Sequence, residues 1–174
     1  KYNLGFALYG TPSESLCDRF ARVDKQEFGD IKGITDKGYY DNSFHVSSRI
    51  NISPFEKLRL EALGHKYSAG GHISYIETDS LTKNLEAIPE ILKYAKMVGI
   101  HYMGINQPVD KCHICGYKGE FTATKEGFTC PQCGNHDSNE MSVIRRVCGY
   151  LSQPNARPFN KGKQEEIMHR VKHS

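Results

Sequence analysis

Arg145-Arg146-Val147-Cys148-Gly149-Tyr150-Leu151 closes a strand-like run near the end of this chain, and Ser152-Gln153-Pro154-Asn155-Ala156-Arg157-Pro158-Phe159 follows it. Two prolines and an asparagine exclude a regular helix or a central strand there. Gly149 is therefore expected at the tip of an extended, turning loop. Taken alone, it reads as a turn glycine with positive φ, a conformation that costs a residue with a Cβ about 1 kcal/mol or more.

Upstream of that loop stand Cys112-His113-Ile114-Cys115 and Cys130-Pro131-Gln132-Cys133, separated by a segment in which Gly116, Gly119 and Gly127 provide turns. Each Cys-x-x-Cys bends so that both sulfurs face one point. Two such bends supply four thiolates in a tetrahedron, the closed geometry of structural zinc. The metal ligands are therefore read as Cys112, Cys115, Cys130 and Cys133, with His113 and His136 as bystanders because four sulfurs fill the shell. A rubredoxin-type iron centre would use similar ligands and a redox dithiol could use one pair, but two complete pairs favour a filled, inert site. Structural zinc is worth roughly 10–16 kcal/mol in small peptides, comparable to the stability of a whole domain. Residues 110–139 are expected to need metal to hold their shape.

Arg-Val-x-Gly-Tyr near a C-terminus, followed by Arg-Pro-Phe, resembles the radical-bearing loop of the glycyl radical enzymes. The string from Arg145 to Lys163 is similar, almost residue for residue, to the anaerobic (class III) ribonucleoside-triphosphate reductases, above all to the bacteriophage form. The similarity extends over all 174 residues, as the C-terminal part of a much longer catalytic subunit. It implies an α/β fold: the C-terminal portion of a ten-stranded barrel, with a small zinc-ribbon-like four-cysteine knuckle and a glycyl radical loop. Residues 1–52 would belong to the catalytic barrel, with a substrate-end loop at 10–16. Residues 53–108 would be a helix-strand part, 109–140 the zinc knuckle, 141–160 the radical loop and 161–174 a tail.

The resemblance further implies an oxidoreductase that makes deoxyribonucleoside triphosphates from ribonucleoside triphosphates, with formate as reductant and Gly149 bearing the radical. A partner activase of the radical-SAM type, carrying an iron-sulfur cluster, would cleave S-adenosylmethionine and take a hydrogen from Gly149. The cysteine that receives the radical has a different sequence setting, upstream of this chain, so neither Cys17 nor Cys148 is assigned that role. The remainder of the subunit would hold the allosteric determinants, and the full subunit is expected as a homodimer. The chemical reason for glycine is independent of the resemblance. A backbone radical is stabilised when Cα flattens and the electron spreads onto the flanking amide groups, and a Cβ would crowd that geometry. The demanding chemistry comes from a cofactor, and the protein supplies position and protection.

The rest of the chain reads as follows. Lys1 to Tyr9 looks like a buried strand. Gly10-Thr11-Pro12-Ser13-Glu14-Ser15-Leu16-Cys17 reads as a turn feeding a helix, with Thr11 as N-cap, Pro12 at the first position and Glu14 completing a capping box. A helix N-terminus also suits an anion such as a nucleotide phosphate, although capping alone accounts for every residue. The resemblance puts Thr-Pro-x-Glu loops at the substrate end of the barrel, which makes Thr11, Ser13, Glu14 and Ser15 candidate substrate neighbours. Residues 24–42 read as a surface connection and 38–46 as ending in a short strand, with His45 a structural histidine. Ser53 to Gly64 is a helix capped by Ser53 and Glu56, stopped at Gly64, with Leu60 and Leu63 on its core face. Gly70-Gly71 marks a close backbone approach, to another segment or to a ligand. Leu85, Ile88, Ile91, Leu92, Ala95 and Val98 recur at a helical period up to Gly99, and Ile100 to Asn106 reads as a strand. Residues 160–172 form a short charged helix, a flexible terminus or a docking handle.

A formal charge of +3 spread along the chain gives little reason to expect a nucleic-acid partner. No apolar run approaches a membrane span and no signal peptide is visible. Paired cysteines without a secretory signal point to a reducing compartment, the cytoplasm of a bacterium or phage-infected host. The missing initiator Met and strand-like opening are read as a fragment of a larger protein. The rival reading is a zinc-ribbon module that docks a protein or nucleic acid, with Gly149 merely a turn; the lack of an aromatic-basic stripe counts against nucleic acid.

Overall fold

Among residues 2–42, 44–153 and 159–173, which the computed structural model describes, the chain forms helices α1 (Cys17–Phe28), α2 (Pro54–Tyr67), α3 (Ala87–Val98) and α4 (Lys161–His169). The strands are β1 (Ser74–Glu77), β2 (Met103–Asn106), β3 (Asp110–Cys112), β4 (Lys118–Gly119), β5 (Thr122–Thr124), β6 (Gly127–Thr129), β7 (Met141–Ser142), β8 (Arg145–Val147) and β9 (Tyr150–Ser152). Two units result. Unit one comprises Lys1–Thr11, Asn42–Asn106 and Val171–Ser174, and unit two Pro12–Asp41 and Gln107–Arg170. None of these helices is long and apolar enough to cross a membrane.

In unit one, Ser53 accepts the Glu56 N–H at 3.2 Å and Pro54 stands in the first turn, so α2 starts where its capping residues put it. It runs past Gly64 to Tyr67, and the missing Cβ at Gly64 admits His72 Nε2 and Phe44 Cβ, each 3.2 Å from where a Cβ would lie. Its buried side is not the expected leucine face: Leu60 and Leu63 are 42% and 64% exposed, whereas Lys57, Leu58, Glu61 and His65 are buried. Polar pairing explains the reversal. Lys57 and Glu61, one turn apart, form an ion pair inside the unit, and His65 Nε2 shares a 3.1 Å hydrogen bond with Ser74 Oγ.

Strands β1 and β2 pair in parallel, from Ser74 opposite Met103 to Glu77 opposite Asn106, with α3 in the crossover that parallel strands need. Leu58, Ile76, Ile91 and Ala95 form the core beneath, and α3 ends on Gly99 at φ 90°. The opening residues are not a buried strand. Tyr2 and Phe6 are 82% and 89% exposed, and the described residues offer them no ladder beyond one parallel bridge of Tyr9 to Gly71. That bridge settles what the paired glycines approach: a Cβ on Gly70 would lie 3.0 Å from the Leu8 carbonyl oxygen, so the neighbour is backbone. Residues 38–46 are turns and irregular chain where described, and not a strand; Ser43 lies outside the described residues.

In unit two, β4, β3 and β7 make an antiparallel sheet in that order, while β5–β6 and β8–β9 are hairpins. Phe121, Met141 and Val143 pack with Cys112 and Cys130 as its core. The capping box expected at Thr11 and Glu14 does not form. Helix α1 begins only at Cys17, after a 3-10 turn at Glu14–Leu16, and Glu14 sits at φ 47°, outside helical space. Helix α4 is no frayed tail. Asn160 caps it by accepting the Lys163 N–H at 3.0 Å, Lys163 and Glu166 are buried, and a Cβ on Gly162 would lie 2.9 Å from Tyr39 Cβ and 3.0 Å from Cys17 Sγ. Only a glycine lets α4 come that near to α1 and Tyr39.

Candidate functional site

Each Cys-x-x-Cys is closed by the glycine that follows it. Gly116 N–H donates to the Cys112 carbonyl at 3.1 Å and Gly134 N–H to the Cys130 carbonyl at 2.9 Å, with φ of 75° and 73° at the two glycines. These matching turns bring the four sulfurs of Cys112, Cys115, Cys130 and Cys133 within 4.8 Å of one another, with Cys112–Cys133 and Cys115–Cys130 at 3.7 Å. Backbone N–H donation from Cys115 pulls the Cys112 thiol down to about 6, toward the thiolate that a metal binds. Asn135 Nδ2 adds a donor to the same sulfur at 3.7 Å. Four soft thiolates in this closed set are able to hold zinc and leave no vacant position for substrate. Bound there, the ion would neutralise the clustered sulfurs and cross-link the two turns. His113 is bonded to Ser142 Oγ at 3.0 Å and is not one of the clustered donors.

Gly149 occupies the second position of the two-residue turn joining β8 to β9, where Val147 pairs with Tyr150. Its φ of 92° is what the second turn position of type II requires. It is half-buried, and Glu14 covers it: a Cβ at Gly149 would lie 2.5 Å from Glu14 Cγ and 3.1 Å from Glu14 Cα. A side chain there would have to displace the Glu14 side chain and press on its Cα. Glu14 itself is the one described non-glycine residue with positive φ, a conformation costing roughly 1–2 kcal/mol.

Other contacts hold the hairpin from behind. Glu166 accepts the Cys148 N–H at 2.8 Å and pairs with Arg170, whose guanidinium donates to the Arg146 carbonyl at 2.5 Å. Cys148 and Cys17 are buried together with Tyr39. Their shared hydrogen bond raises the Cys17 thiol far above its usual value and pulls Cys148 down to about 7. Ser13 Oγ lies 3.5 Å from the Cys148 sulfur, and the Ser15 carbonyl accepts from Asn160 Nδ2 at 2.9 Å. Three of the four residues read as substrate neighbours, Ser13, Glu14 and Ser15, thus meet the glycine hairpin or the start of α4; Thr11 is exposed and falls in unit one. The Arg157-Pro158 part of the loop lies outside the described residues.

Asp110 and Arg145 join the cysteine knuckle to this hairpin. The buried Asp110 carboxylate takes both Arg145 terminal nitrogens, the Nη2 contact at 2.5 Å, and also accepts the Phe121 N–H at 2.7 Å and the Ile144 N–H at 3.3 Å. Phe128 stacks under the guanidinium, 5.0 Å from its centre. Sequence reading missed this pair, since an Asp beside a knuckle and an Arg in a strand carry no spacing signal. A cavity of mixed lining, with Phe128, Met141 and Ile167 beside Lys125, Glu126 and His136, also lies in unit two and includes none of the expected substrate residues.

The chain is thus of mixed α/β class, with a four-cysteine knuckle able to hold a metal tied to a hairpin with a crowded glycine at its turn. The family model for anaerobic ribonucleoside-triphosphate reductase matches residues 1–173, and the chain belongs to that family. It is 52% identical over 169 residues to the anaerobic ribonucleoside-triphosphate reductase of Escherichia coli (strain K12), covering 97% of this chain and 24% of that protein. It is 51% identical over 168 residues to the enzyme of the same name from Enterobacteria phage T4, covering 97% of this chain and 28% of that protein. The chain therefore spans about a quarter of the length of the curated relatives it matches. A solved anaerobic ribonucleotide reductase superposes with a TM-score of 0.71 at 23% identity, covering 99% of this chain and 26% of the other. The reductase from Thermotoga maritima in complex with dATP and CTP superposes at 0.62 and 24% identity, covering 95% and 24%. Both solved structures share its fold.

Proposed function

We propose that this chain is the radical-bearing C-terminal portion of an anaerobic ribonucleoside-triphosphate reductase, with Gly149 as the residue that stores the radical. Residues 1–52 contribute to its ten-stranded barrel and 53–108 to the helix-strand part beside it; 109–140 is the zinc knuckle, 141–160 the radical loop and 161–174 the tail. A radical-SAM activase, with its iron-sulfur cluster and S-adenosylmethionine, removes one hydrogen from Gly149. The stored radical passes to a cysteine outside this chain, which takes the 3′-hydrogen of a bound ribonucleoside triphosphate. The 2′-hydroxyl leaves as water, with formate as reductant, in a homodimer of the full subunit in the cytoplasm.

The observation that carries this reading is Gly149 itself: a half-buried turn glycine at positive φ whose absent Cβ would collide with Glu14 Cγ and crowd Glu14 Cα. Crowding on one side of Cα favours a residue with nothing but hydrogen there, and burial shields what remains when one hydrogen is taken. Ser13, Glu14 and Ser15 act beside it as the edge of the substrate loop, with Thr11 at its start. The four cysteines hold zinc and keep the loop in shape.

Electron paramagnetic resonance after anaerobic activation tests the reading. A doublet in the intact protein, abolished by Gly149→Ala, is the expected result. A silent spectrum with the metal in place and an active activase would instead favour a zinc-ribbon docking module.

A further inference from the structure

Outside the knuckle, one other set of side chains has the make-up of a metal site. His45, Glu61 and His72 each present a donor atom, and the three atoms all lie within 4.8 Å of one another. They come from different parts of unit one: the chain before α2, the middle of α2, and the residues leading into β1. Glu61 and His72 are only 2% and 5% exposed. Glu61 Oε1 is engaged by the Val46 N–H at 2.8 Å and by the Lys57 ammonium, but Glu61 Oε2 and His72 Nε2 have no hydrogen-bond partner. Buried polar atoms are paired in the large majority of cases, and leaving one unpaired costs about 1–3 kcal/mol. Two such orphans within one cluster of ligating side chains point to a ligand that satisfies both.

We propose that His45, Glu61 and His72 bind a divalent first-row transition cation, zinc or ferrous iron by its chemistry, at a second metal site in unit one. Two imidazoles and one carboxylate are a donor set these ions take, with an open position left for water. Bonds of 2.0–2.1 Å make a tetrahedron with edges of about 3.4 Å, so the donors need close in by little more than 1 Å. Gly64, inside α2, has no Cβ to crowd His72 Nε2, which lies 3.2 Å from where one would be. His45 Nε2 meets the Ile73 carbonyl, a contact that orients the ring. Lys57, paired with Glu61, opposes the incoming cation, so this site binds more weakly than the four thiolates. Once filled, it fastens the segment before α2 to that helix and to the start of β1.

Cobalt(II) titrated into the metal-free intact protein reads the sites separately. Thiolate ligands give intense sulfur-to-metal charge-transfer bands, whereas an imidazole-carboxylate set gives only weak visible bands. The expected result is a weak-band equivalent in the unaltered protein that disappears in His72→Gln and Glu61→Gln while the thiolate bands persist. His72→Cys restores that equivalent with an added charge-transfer band, which a merely structural histidine would not produce. Zinc should also raise the unfolding temperature of the unaltered protein more than that of His72→Gln. The proposal is overturned if the unaltered protein and His72→Gln take up the same number of cobalt ions, or if His72→Cys adds no new band.

Discussion

Asp110 and Arg145 form a buried bidentate ion pair that links the strand entering the first cysteine pair to the strand leading to Gly149. Asp110 also holds the Phe121 and Ile144 amides, so four donors converge on one carboxylate. Removing one partner leaves the other charge buried and uncompensated, which costs about 3–5 kcal/mol. Asp110→Asn should therefore lower the denaturant midpoint of unit two and reduce the radical doublet, with bound metal unchanged. Replacing both, as in Asp110→Leu with Arg145→Met, should recover much of the stability. Normal radical yield in a destabilised Asp110→Asn protein would separate the pair from the loop's function.

The contact of Glu14 with Gly149 makes a two-residue prediction. Gly149→Ala should destabilise by at least about 1 kcal/mol from its positive φ alone, with the clash against Glu14 added. Adding Glu14→Gly removes the side-chain carbons from the clash and relieves the strained φ of Glu14, so stability should partly return. The radical should not. Thermal unfolding and spin quantitation on the same samples would expose any coupling between the two.

Metal removal should act on shape and on radical yield together. Residues 110–142 bury few side chains beyond Phe121, Met141 and the cysteines, too little to fold against chain entropy without cross-links. A chelator strong enough to strip four thiolates is expected to abolish amide protection in β3 to β7 and to lower the doublet, and zinc should restore both. If metal-depleted protein forms the full amount of radical, the knuckle does not support the hairpin.

The Cys17–Cys148 pair gives stability a definite dependence on pH. Cys148, pulled down to about 7 in the folded chain from an ordinary value near 9, adds stability as pH rises through that interval, because the unfolded chain then holds the extra proton. For one proton the slope is at most about 1.4 kcal/mol per pH unit. Above pH 9 the sign reverses, since Cys17, raised in the folded chain, keeps a proton that the unfolded chain releases. Unfolding free energies between pH 6.5 and 10, compared with those of Cys148→Ala, should differ by a curve that rises and then falls. A flat difference would mean the two thiols do not share a proton.

Local chemistry made much of this protein legible from its residues. The helix expected from residue 84 begins at Ala87 and leaves Leu85 outside it and exposed, whereas the Ser53 cap and the Gly99 stop depend on neighbours in sequence and fold as read. So do the four cysteines, because each pair with its following glycine is a self-contained turn. The opening strand, the capping box at Thr11 and the leucine face of α2 failed for a shared reason. Each depends on which distant segment supplies a ladder, a cap or a burial surface, and alternation or spacing does not say. A glycine at position 149 was visible at once, and so was the reason to prefer one there. Only the folded chain put the backbone of Glu14 against it, sent Asp110 to Arg145, and turned Lys57, Glu61 and His65 inward. Those are pairings between residues far apart in sequence or choices of which helix face is buried, and they are decided by packing, where a polar group goes inside once a partner waits for it.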